Sequence, residues 1–259
     1  MGGITASAMV GSYFYVKDFW WAKKQTTFHF ETTAEHYALS MDKASHFFGG
    51  TIEADLFAGG FQWSGFDEQR ARLYGAIMSD IISFSVEMTD GYAVEHGFSI
   101  KDFLSGTAGA WYPYLQYHVP SLKAVNFKWS YWNHVPTYFT KPNLIEKNPS
   151  RSFVDNYGNQ TYWMTINLRS VAPTSWEPVL PPWLNLAIGG RAGDVVDVIR
   201  KDSQFKEFQM YVSLDVDVGQ LLPREGAFWV ALRRVVSHVH LPAPAIRVIP
   251  NVRLFGFYM

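Results

Sequence analysis

An acidic residue and a histidine lie four positions apart in the segment MDKASHFFGG, which begins at Met41. In a helix, Asp42 and His46 would share one face. Further along the chain, Glu87 and Asp90 lie three positions apart in another apolar segment and would also share a helix face. Because carboxylates are rarely buried unless they are paired or hydrogen-bonded, we expect these four side chains to form one polar cluster.

A cluster of this composition is compatible with a structural role or with acid–base chemistry. In the structural interpretation, which we favour, Lys43 or His46 pairs with a carboxylate and ties one helix to another. In the acid–base interpretation, His46 and a carboxylate act as base and orienting group in a hydrolysis. The candidate catalytic residues are therefore Asp42, His46, Glu87 and Asp90.

A divalent metal ion is the third possibility for the same cluster. Imidazole and carboxylate ligands suit zinc, iron or manganese, and the candidate ligands are His46, Glu87 and Asp90. Helical geometry turns Lys43 about 100° away from Asp42, so its ammonium need not compete with a cation. The sequence requires no cofactor, and the zincin motif HExxH is absent from it.

Other motifs and pairs give little support for a specific reaction. No GxSxG, Walker or GxGxxG motif occurs, and the absence of cysteine excludes disulfides and thiolate chemistry. His238 and His240 are two positions apart, as are Asp215 and Asp217. We interpret the histidines as a surface strand edge rather than metal ligands, and the aspartates as the wet face of a strand.

The elements that must position these residues change in type near residue 135. Apolar and small residues before it recur at helical spacing and predict helices over 4–23, 33–59, 66–90 and 100–117. Alternating segments after it predict strands over 160–168 and 209–218. The predicted fold class is α+β, with a mainly helical N-terminal bundle over 1–135 and a smaller C-terminal β portion over 136–259 packed on it.

Local signals refine the predicted bundle. Ser99 followed by Asp102 is typical of a helix start, with an acceptor at the N-cap and a carboxylate in the first turn. Small residues at Gly49-Gly50, at Gly75-Ala76 and at Gly106 and Gly109-Ala110 would allow helices to approach closely.

Composition indicates a protein that rests against lipid or a partner. Charged residues make up 17% of the chain, below the roughly 25% of typical soluble proteins, and aromatic residues also make up 17%. The net charge of −1 argues against a nucleic-acid binder. No segment has the roughly 20 apolar residues of a transmembrane helix. Interfacial residue types at Trp20-Trp21, Lys23-Lys24 and Trp111–Tyr114 predict membrane association without spanning.

The N-terminal segment MGGITASAMVGSYFYV has no charge before Lys17. It is compatible with the remnant of a secretion signal, with an amphipathic anchor or with a first buried helix.

Three segments, DKASHFFGG from Asp42, EMTDG from Glu87 and FSIKDFLSGTAGA from Phe98, resemble the YfiM-like family of predicted periplasmic lipoproteins, a domain of unknown function. The family pattern is DKxxHF, then ExxD, then FSxxDxxxNxxGA, and Gly106 stands where the family often has asparagine. The positions that match are Asp42, Lys43, His46, Phe47, Glu87, Asp90, Phe98, Ser99, Asp102, Gly109 and Ala110.

The later segments FVDNYGNQTYWMTINL and PPWLNLAIGG resemble longer, Bacteroidetes-type members, so the resemblance extends over roughly residues 20–250. It implies a helical, lipoprotein-like domain on the periplasmic side of a membrane, expected to be the outer membrane. A membrane surface or lipid, or an envelope protein, is the expected partner. The family brings no assigned activity, and the chain contains no lipobox cysteine.

These observations lead to two hypotheses about function. The first is a structural or lipid- or partner-binding protein of the bacterial envelope with a buried polar cluster. The alternative is a metal-assisted or acid–base hydrolase of an envelope lipid or glycan.

Overall fold

The computed structural model of the protein describes residues 25–31, 37–94, 96–132, 157–193 and 207–259. The helices are α1 (Met41–Trp63), α2 (Glu68–Asp90), α3 (Ile100–His118), α4 (Leu168–Val171) and α5 (Ala227–Val236). The strands are β1 (Val125–Tyr131), β2 (Gln160–Asn167), β3 (Leu184–Gly193), β4 (Glu207–Val216), β5 (Ala243–Ile249) and β6 (Arg253–Tyr258). The predicted α+β class is confirmed. The predicted helix over 4–23 lies outside the described residues.

Helix α1 begins later than the predicted range 33–59. Residues 38–40 have φ values of 50°, 55° and 66°. This left-handed conformation is unfavourable for residues other than glycine, and the helix starts only after it, at Met41. The helix continues to Trp63, and Gly65, with a φ of 95°, follows its end.

Helix α3 begins at the predicted cap. The Ser99 hydroxyl accepts a hydrogen bond of 3.3 Å from the backbone N–H of Asp102, which satisfies one of the free N–H groups of the first turn. The predicted ranges 66–90 and 100–117 agree closely with α2 and α3.

The three long helices pack closely because glycines stand at their crossings. A Cβ atom on Gly50 of α1 would meet the backbone carbonyl of Gly106 on α3. A Cβ atom on Gly75 of α2 would lie 2.9 Å from the backbone nitrogen of Ala58 on α1. The predicted close approach is thus confirmed at these glycines, whereas Gly49 has no atom within 4 Å of its Cβ position.

The sheet is an antiparallel meander in which each strand pairs with the next one along the chain, in the order β1-β2-β3-β4-β5-β6. It begins at Val125, earlier than the predicted boundary at 135, because VNFKWSY alternates between apolar and polar residues. The outer edge of β1 is also paired. The N–H of Trp129 donates to the carbonyl of His238 at 2.9 Å, and the N–H of His240 donates to the carbonyl of Trp129 at 3.0 Å.

The two faces of the sheet differ in chemistry. One face, which we call the buried face, carries polar and aromatic side chains with little exposure, among them Lys128, Trp163, Asn185, Tyr211 and Asp215. The opposite face, which we call the apolar face, carries Phe127, Tyr162, Ile188, Val212 and Leu254. This assignment follows from the two-residue period of a strand.

Helix α1 packs on part of the apolar face. The ring of Phe47 lies 4.6 Å from that of Phe127 on β1, and the ring of Phe48 lies 6.0 Å from that of Tyr162 on β2. A Cβ atom on Gly190 of β3 would lie 3.7 Å from the methyl group of Met41. These contacts fix the helical unit against the first three strands. None of the helices described here combines the length and apolar character needed to cross a bilayer.

Candidate functional site

A polar cluster lies where the three long helices meet. The ammonium of Lys43 on α1 lies 3.0 Å from Oδ2 of Asp42 and 2.9 Å from Oδ1 of Asp102 on α3. All three side chains are largely buried, with exposed fractions of 16% for Lys43, 12% for Asp42 and 6% for Asp102. One cation thus joins carboxylates from two helices.

His46 lies between carboxylates of two helices. Its Nε2 is 3.6 Å from Oδ1 of Asp42, and its Nδ1 is 3.9 Å from Oε1 of Glu87 on α2. Both distances exceed those of a hydrogen bond, so the imidazole interacts with these two carboxyl groups electrostatically and not by hydrogen bonding. The side chain of His46 is 27% exposed and is more accessible than those of its four neighbours Lys43, Asp42, Asp102 and Glu87.

Glu87 is the most deeply buried carboxylate of the cluster, with a 2% exposed side chain. Its Oε2 accepts a hydrogen bond of 2.9 Å from the backbone N–H of Ser99. Burial is the main cause that raises the pKa of Glu87 to about 8; the neighbouring charges of Asp90, Asp102 and Asp42 act in the same direction, and the hydrogen bond from the Ser99 N–H acts against them. Glu87 is therefore largely protonated at neutral pH.

Asp42 is shifted in the opposite direction. Burial by itself would raise its pKa, but the nearby His46 and Lys43 and the hydroxyl of Tyr157 hold the pKa of Asp42 below its usual value. The Tyr157 hydroxyl donates a hydrogen bond of 2.8 Å to Oδ1 of Asp42. Burial lowers the pKa of Lys43, but the charge of Asp42 and the hydrogen bond to Asp102 outweigh it, so that pKa is raised. Asp42 and Lys43 are thus both charged at neutral pH.

Glu31 lies close enough to the cluster for the charge of Asp102 to affect its pKa. Its backbone N–H donates to the carbonyl of Phe98 at 3.0 Å, which attaches the segment 25–31 beside the start of α3. Burial raises the pKa of Glu31, and the charge of Asp102 raises it further.

The structure brings together three of the four residues expected in the cluster, namely Asp42, His46 and Glu87. Asp90 acts on the cluster through its charge, which raises the pKa of Glu87. Sequence reasoning did not include Asp102 and Tyr157. The N-cap pattern and the family motif were available signals for Asp102, but no local signal indicates Tyr157.

Among the described residues, one potential ligand atom each from Asp42, His46 and Asp102 lies within 4.8 Å of the others, a spacing that could hold a metal ion. This set shares only His46 with the predicted ligands. The Lys43 ammonium already lies at hydrogen-bond distance from both carboxylates. A metal ion would therefore have to displace Lys43 to bind this set.

A second buried ionic cluster lies on the buried face of the sheet. Lys128 on β1 donates to Oδ2 of Asp215 at 2.6 Å, and Asn185 donates to the same oxygen at 2.8 Å. Nδ1 of His240 lies 2.9 Å from Oδ1 of Asp215, and its ring stacks on Trp163 at 4.0 Å. Burial would raise the pKa of Asp215, but its bonds to His240 and Lys128 hold it below the usual value. The interpretation of Asp215 as part of a wet strand face is wrong, because its exposed fraction is 1%.

His238 has a different set of partners from His240. Its Nε2 lies 3.3 Å from Oδ2 of Asp55 on α1, and Arg234 of α5 donates to Oδ1 of Asp55 at 2.7 Å. The two histidines are 8% and 0% exposed, so their interpretation as a surface strand edge is wrong. The residues 238–240 form only a bridge to β1, and the two side chains contact different elements.

A polar cleft of about 380 Å³ lies at one end of the sheet. Its lining includes Lys123, Asn126, Asn167, Arg169 and Asp217. None of the residues of the helical cluster lines this cleft.

Comparison with known proteins gives one family match, and it covers the helical unit. Residues 29–118 match the family model described as "Predicted periplasmic lipoprotein (DUF2279)". The resemblance is confirmed for this segment, which contains α1, α2, α3 and every cluster residue except Tyr157. The family description agrees with an envelope location. No curated protein and no solved structure matches the chain.

Proposed function

We propose that this protein is a structural, lipid-binding component of the bacterial envelope that rests on the periplasmic side of a membrane, with the outer membrane as the expected one. The observation that carries the structural role is the position of the Lys43 ammonium between Asp42 and Asp102. A cation in this position is paired with two buried carboxylates and connects α1 to α3. In this proposal, the polar cluster holds the helical unit together.

Exposed apolar side chains on the helical unit support contact with lipid. On α2, Ile77, Ile81 and Phe84 lie on one face and are 37%, 52% and 46% exposed. On α3, Ile100 and Leu104 are 56% and 57% exposed and also share a face. Exposed apolar patches of this kind mark protein or membrane interaction sites.

Flotation with liposomes tests this proposal. The purified protein is mixed, without detergent, with vesicles of phosphatidylethanolamine and phosphatidylglycerol and centrifuged through a density gradient. We expect the protein to float with the vesicles and to stay at the bottom without them. Recovery of all the protein at the bottom of both gradients would contradict membrane binding.

A second candidate function is acid–base hydrolysis of an envelope lipid or glycan. The observation that favours it is the opposite pKa shift of Glu87 and Asp42 on either side of the partly exposed His46. Such a pair would supply one protonated and one ionised carboxyl group at neutral pH. Incubation with phospholipid and with peptidoglycan, followed by mass spectrometry of the products, tests it. Loss of product formation in His46→Ala and Glu87→Gln, but not in Glu68→Gln, would support this function.

The metal-assisted form of this hydrolase has its own test. Protein prepared without chelator is submitted to elemental analysis and to thermal-shift assays with zinc and manganese. If the protein binds a metal, we expect a near-stoichiometric metal content and a higher melting temperature when zinc or manganese is added. The affinity for the metal should fall as the pH drops through the range in which imidazole is protonated. Less than about one-tenth equivalent of metal and no thermal shift would exclude it.

A further inference from the structure

The polar cleft at one end of the sheet is built from the ends of its first four strands. Lys123 comes just before β1, and Asn167 is the last residue of β2. Asn185 lies at the start of β3, and Asp217 follows β4. The strand register brings these ends together, because Asn167 pairs with Asn185 and Asn185 with Asp215. The cleft therefore runs across the edge of the sheet from β1 to β4.

Charge is distributed unevenly along the cleft. Lys123 and Arg169 lie beside β1 and β2, Asp217 lies beside β4, and the neutral Asn185 of β3 lies between them. The strands β2 and β4 are two strand spacings apart, or about 10 Å. The lining also contains Glu177, from the connection between β2 and β3. One side of the cleft is thus cationic and the β4 side carries a carboxylate.

The charged side chains of the cleft keep their capacity to bind a ligand. In the part of the chain that the structure describes, Lys123, Arg169, Glu177 and Asp217 form no ion pair, either with one another or with other residues. Asp217 accepts a single side-chain hydrogen bond, from Gln220 at 3.0 Å. A cation and a carboxylate that share a cleft without pairing can each bind a ligand group of opposite charge.

Hydrogen bonds hold the amide side chains at the floor of the cleft. Asn167 donates to the carbonyl of Pro182 at 2.7 Å and to Oδ1 of Asn185 at 3.0 Å. Asn185, which is 3% exposed, donates to Oδ2 of Asp215 at 2.8 Å, and Lys128 donates to the same oxygen. The buried ionic cluster of the sheet therefore supports the cleft directly. Such a cluster adds little net stability over apolar packing, but it fixes the side chains that it reaches in one arrangement.

We propose that this cleft binds a short peptide with free termini, its carboxylate towards Lys123 and Arg169 and its amine towards Asp217. A peptide site of this kind goes beyond the proposed function and does not depend on it. An extended chain covers about 3.4 Å per residue, so three residues match the two strand spacings between the charged sides. The cleft volume of about 380 Å³ is in the range of ligand pockets.

The amide side chains of the lining suit the peptide groups between the two termini. Asn126 and Gln220 each carry an amide, which both donates and accepts hydrogen bonds, as a peptide group does. A single small ion fits less well, because the two cations and two carboxylates of the lining cancel. A sugar could bond to the amides but would leave the charges on both sides without partners.

Titration with trialanine, followed by NMR chemical shifts, tests the peptide site. Trialanine with free termini is compared with its N-acetylated and its C-amidated forms, and a random tripeptide mixture extends the test to other side chains. Asp217→Asn changes the amine side and Arg169→Gln the carboxylate side. Glu68→Gln and Arg70→Gln are the matched controls at exposed positions on α2. Circular dichroism and thermal unfolding establish that each variant is folded.

We expect N-acetylation of the peptide and Asp217→Asn each to weaken binding about tenfold, the effect of one charge-assisted hydrogen bond. Together they should weaken it little more than either alone, because both remove the same contact. C-amidation and Arg169→Gln should behave in the same way at the other terminus. The two controls should bind like the unmodified protein.

Three outcomes would overturn the peptide site. Absence of binding by both trialanine and the tripeptide mixture would exclude it, while the proposed function would stand or fall separately in flotation. Equal losses of free and N-acetylated trialanine in Asp217→Asn would show that the amine does not bind Asp217. Binding of an N-acetylglucosamine trimer, together with indifference to blocked peptide termini, would assign the cleft to a sugar.

Discussion

The Nζ atom of Lys43 lies 2.9 Å from Oδ1 of Asp102 and joins the start of helix α1 to the start of helix α3. Asp42, one residue before the lysine, accepts from the same ammonium at 3.0 Å. Since both carboxylates are largely buried, neither can be hydrated well if the lysine is removed. The packing of the helical unit therefore depends on one cation.

Lys43→Met should destabilise the protein by about 3–5 kcal/mol, because it leaves two carboxylates buried without a cation. Urea unfolding at neutral pH measures the change. Lys123→Met is the control, since Lys123 is exposed, and should change stability by less than about 0.5 kcal/mol. The double variant Lys43→Met/Asp102→Asn should recover part of the loss, and equal stability of both lysine variants would contradict the structural role of the cluster.

Glu87→Gln should flatten the pH dependence of stability. The folded state raises the pKa of Glu87 from 4.5 to about 8, so between these values the folded protein holds a proton that the unfolded chain has released. Stability from this group therefore falls as pH rises from about 4.5 to about 8. Glutamine is neutral throughout and can still accept from the Ser99 N–H. We therefore expect the stability of the variant minus that of the unmodified protein to be larger at pH 8 than at pH 5.

Melting temperatures at pH 5 and pH 8 measure this difference. Glu68→Gln on the same helix is the control, because Glu68 lies on an exposed part of α2. A pH dependence that is the same for Glu87→Gln and the unmodified protein would show that Glu87 ionises in the folded state at its ordinary pKa.

Gly50→Ala and Gly49→Ala should have opposite effects although the two positions are adjacent. A Cβ atom at Gly50 meets backbone atoms of α3, which cannot move without separating the helices, and should cost about 1–3 kcal/mol. A Cβ atom at Gly49 has open space, and alanine there should stabilise the helix by about 0.5–1 kcal/mol. Denaturant unfolding of both variants measures this, and equal effects would contradict the helix crossing at Gly50.

Asp215→Asn should destabilise the sheet far more than Asp217→Asn. The first substitution leaves the 1% exposed side chain of Lys128 without its counter-ion, which should cost about 3–5 kcal/mol. Asp217 accepts a hydrogen bond from Gln220 at 3.0 Å, and asparagine can still accept it, so we expect less than about 1 kcal/mol. Thermal unfolding compares the two variants. Similar losses would show that the Lys128–Asp215 pair is not needed to hold β1 to β4.

The sequence determined the local features of the helical unit. The spacing of Asp42 and His46 placed both on one helix face, and the Ser99 cap defined the start of α3. Small residues at Gly49-Gly50 and Gly75-Ala76 indicated where helices would touch, although only Gly50 of the first pair makes the contact. These features depend on residues within one or two helical turns, or on side-chain volume at one position, and a single sequence carries that information.

Only the tertiary structure decided which polar groups are buried and with which partners. Lys43 is turned by about 100° from Asp42 along the helix, but its long side chain reaches back to Asp42 and across to Asp102 once α3 is in place. Tyr157 reaches Asp42 from 115 positions away. Asp215 and Asp217 have the same spacing as residues on a wet strand face, yet Asp215 pairs with a lysine from another strand. Such pairings depend on sheet curvature and on contacts between residues far apart in the chain, and neither produces a periodic residue pattern that could be recognised in the sequence.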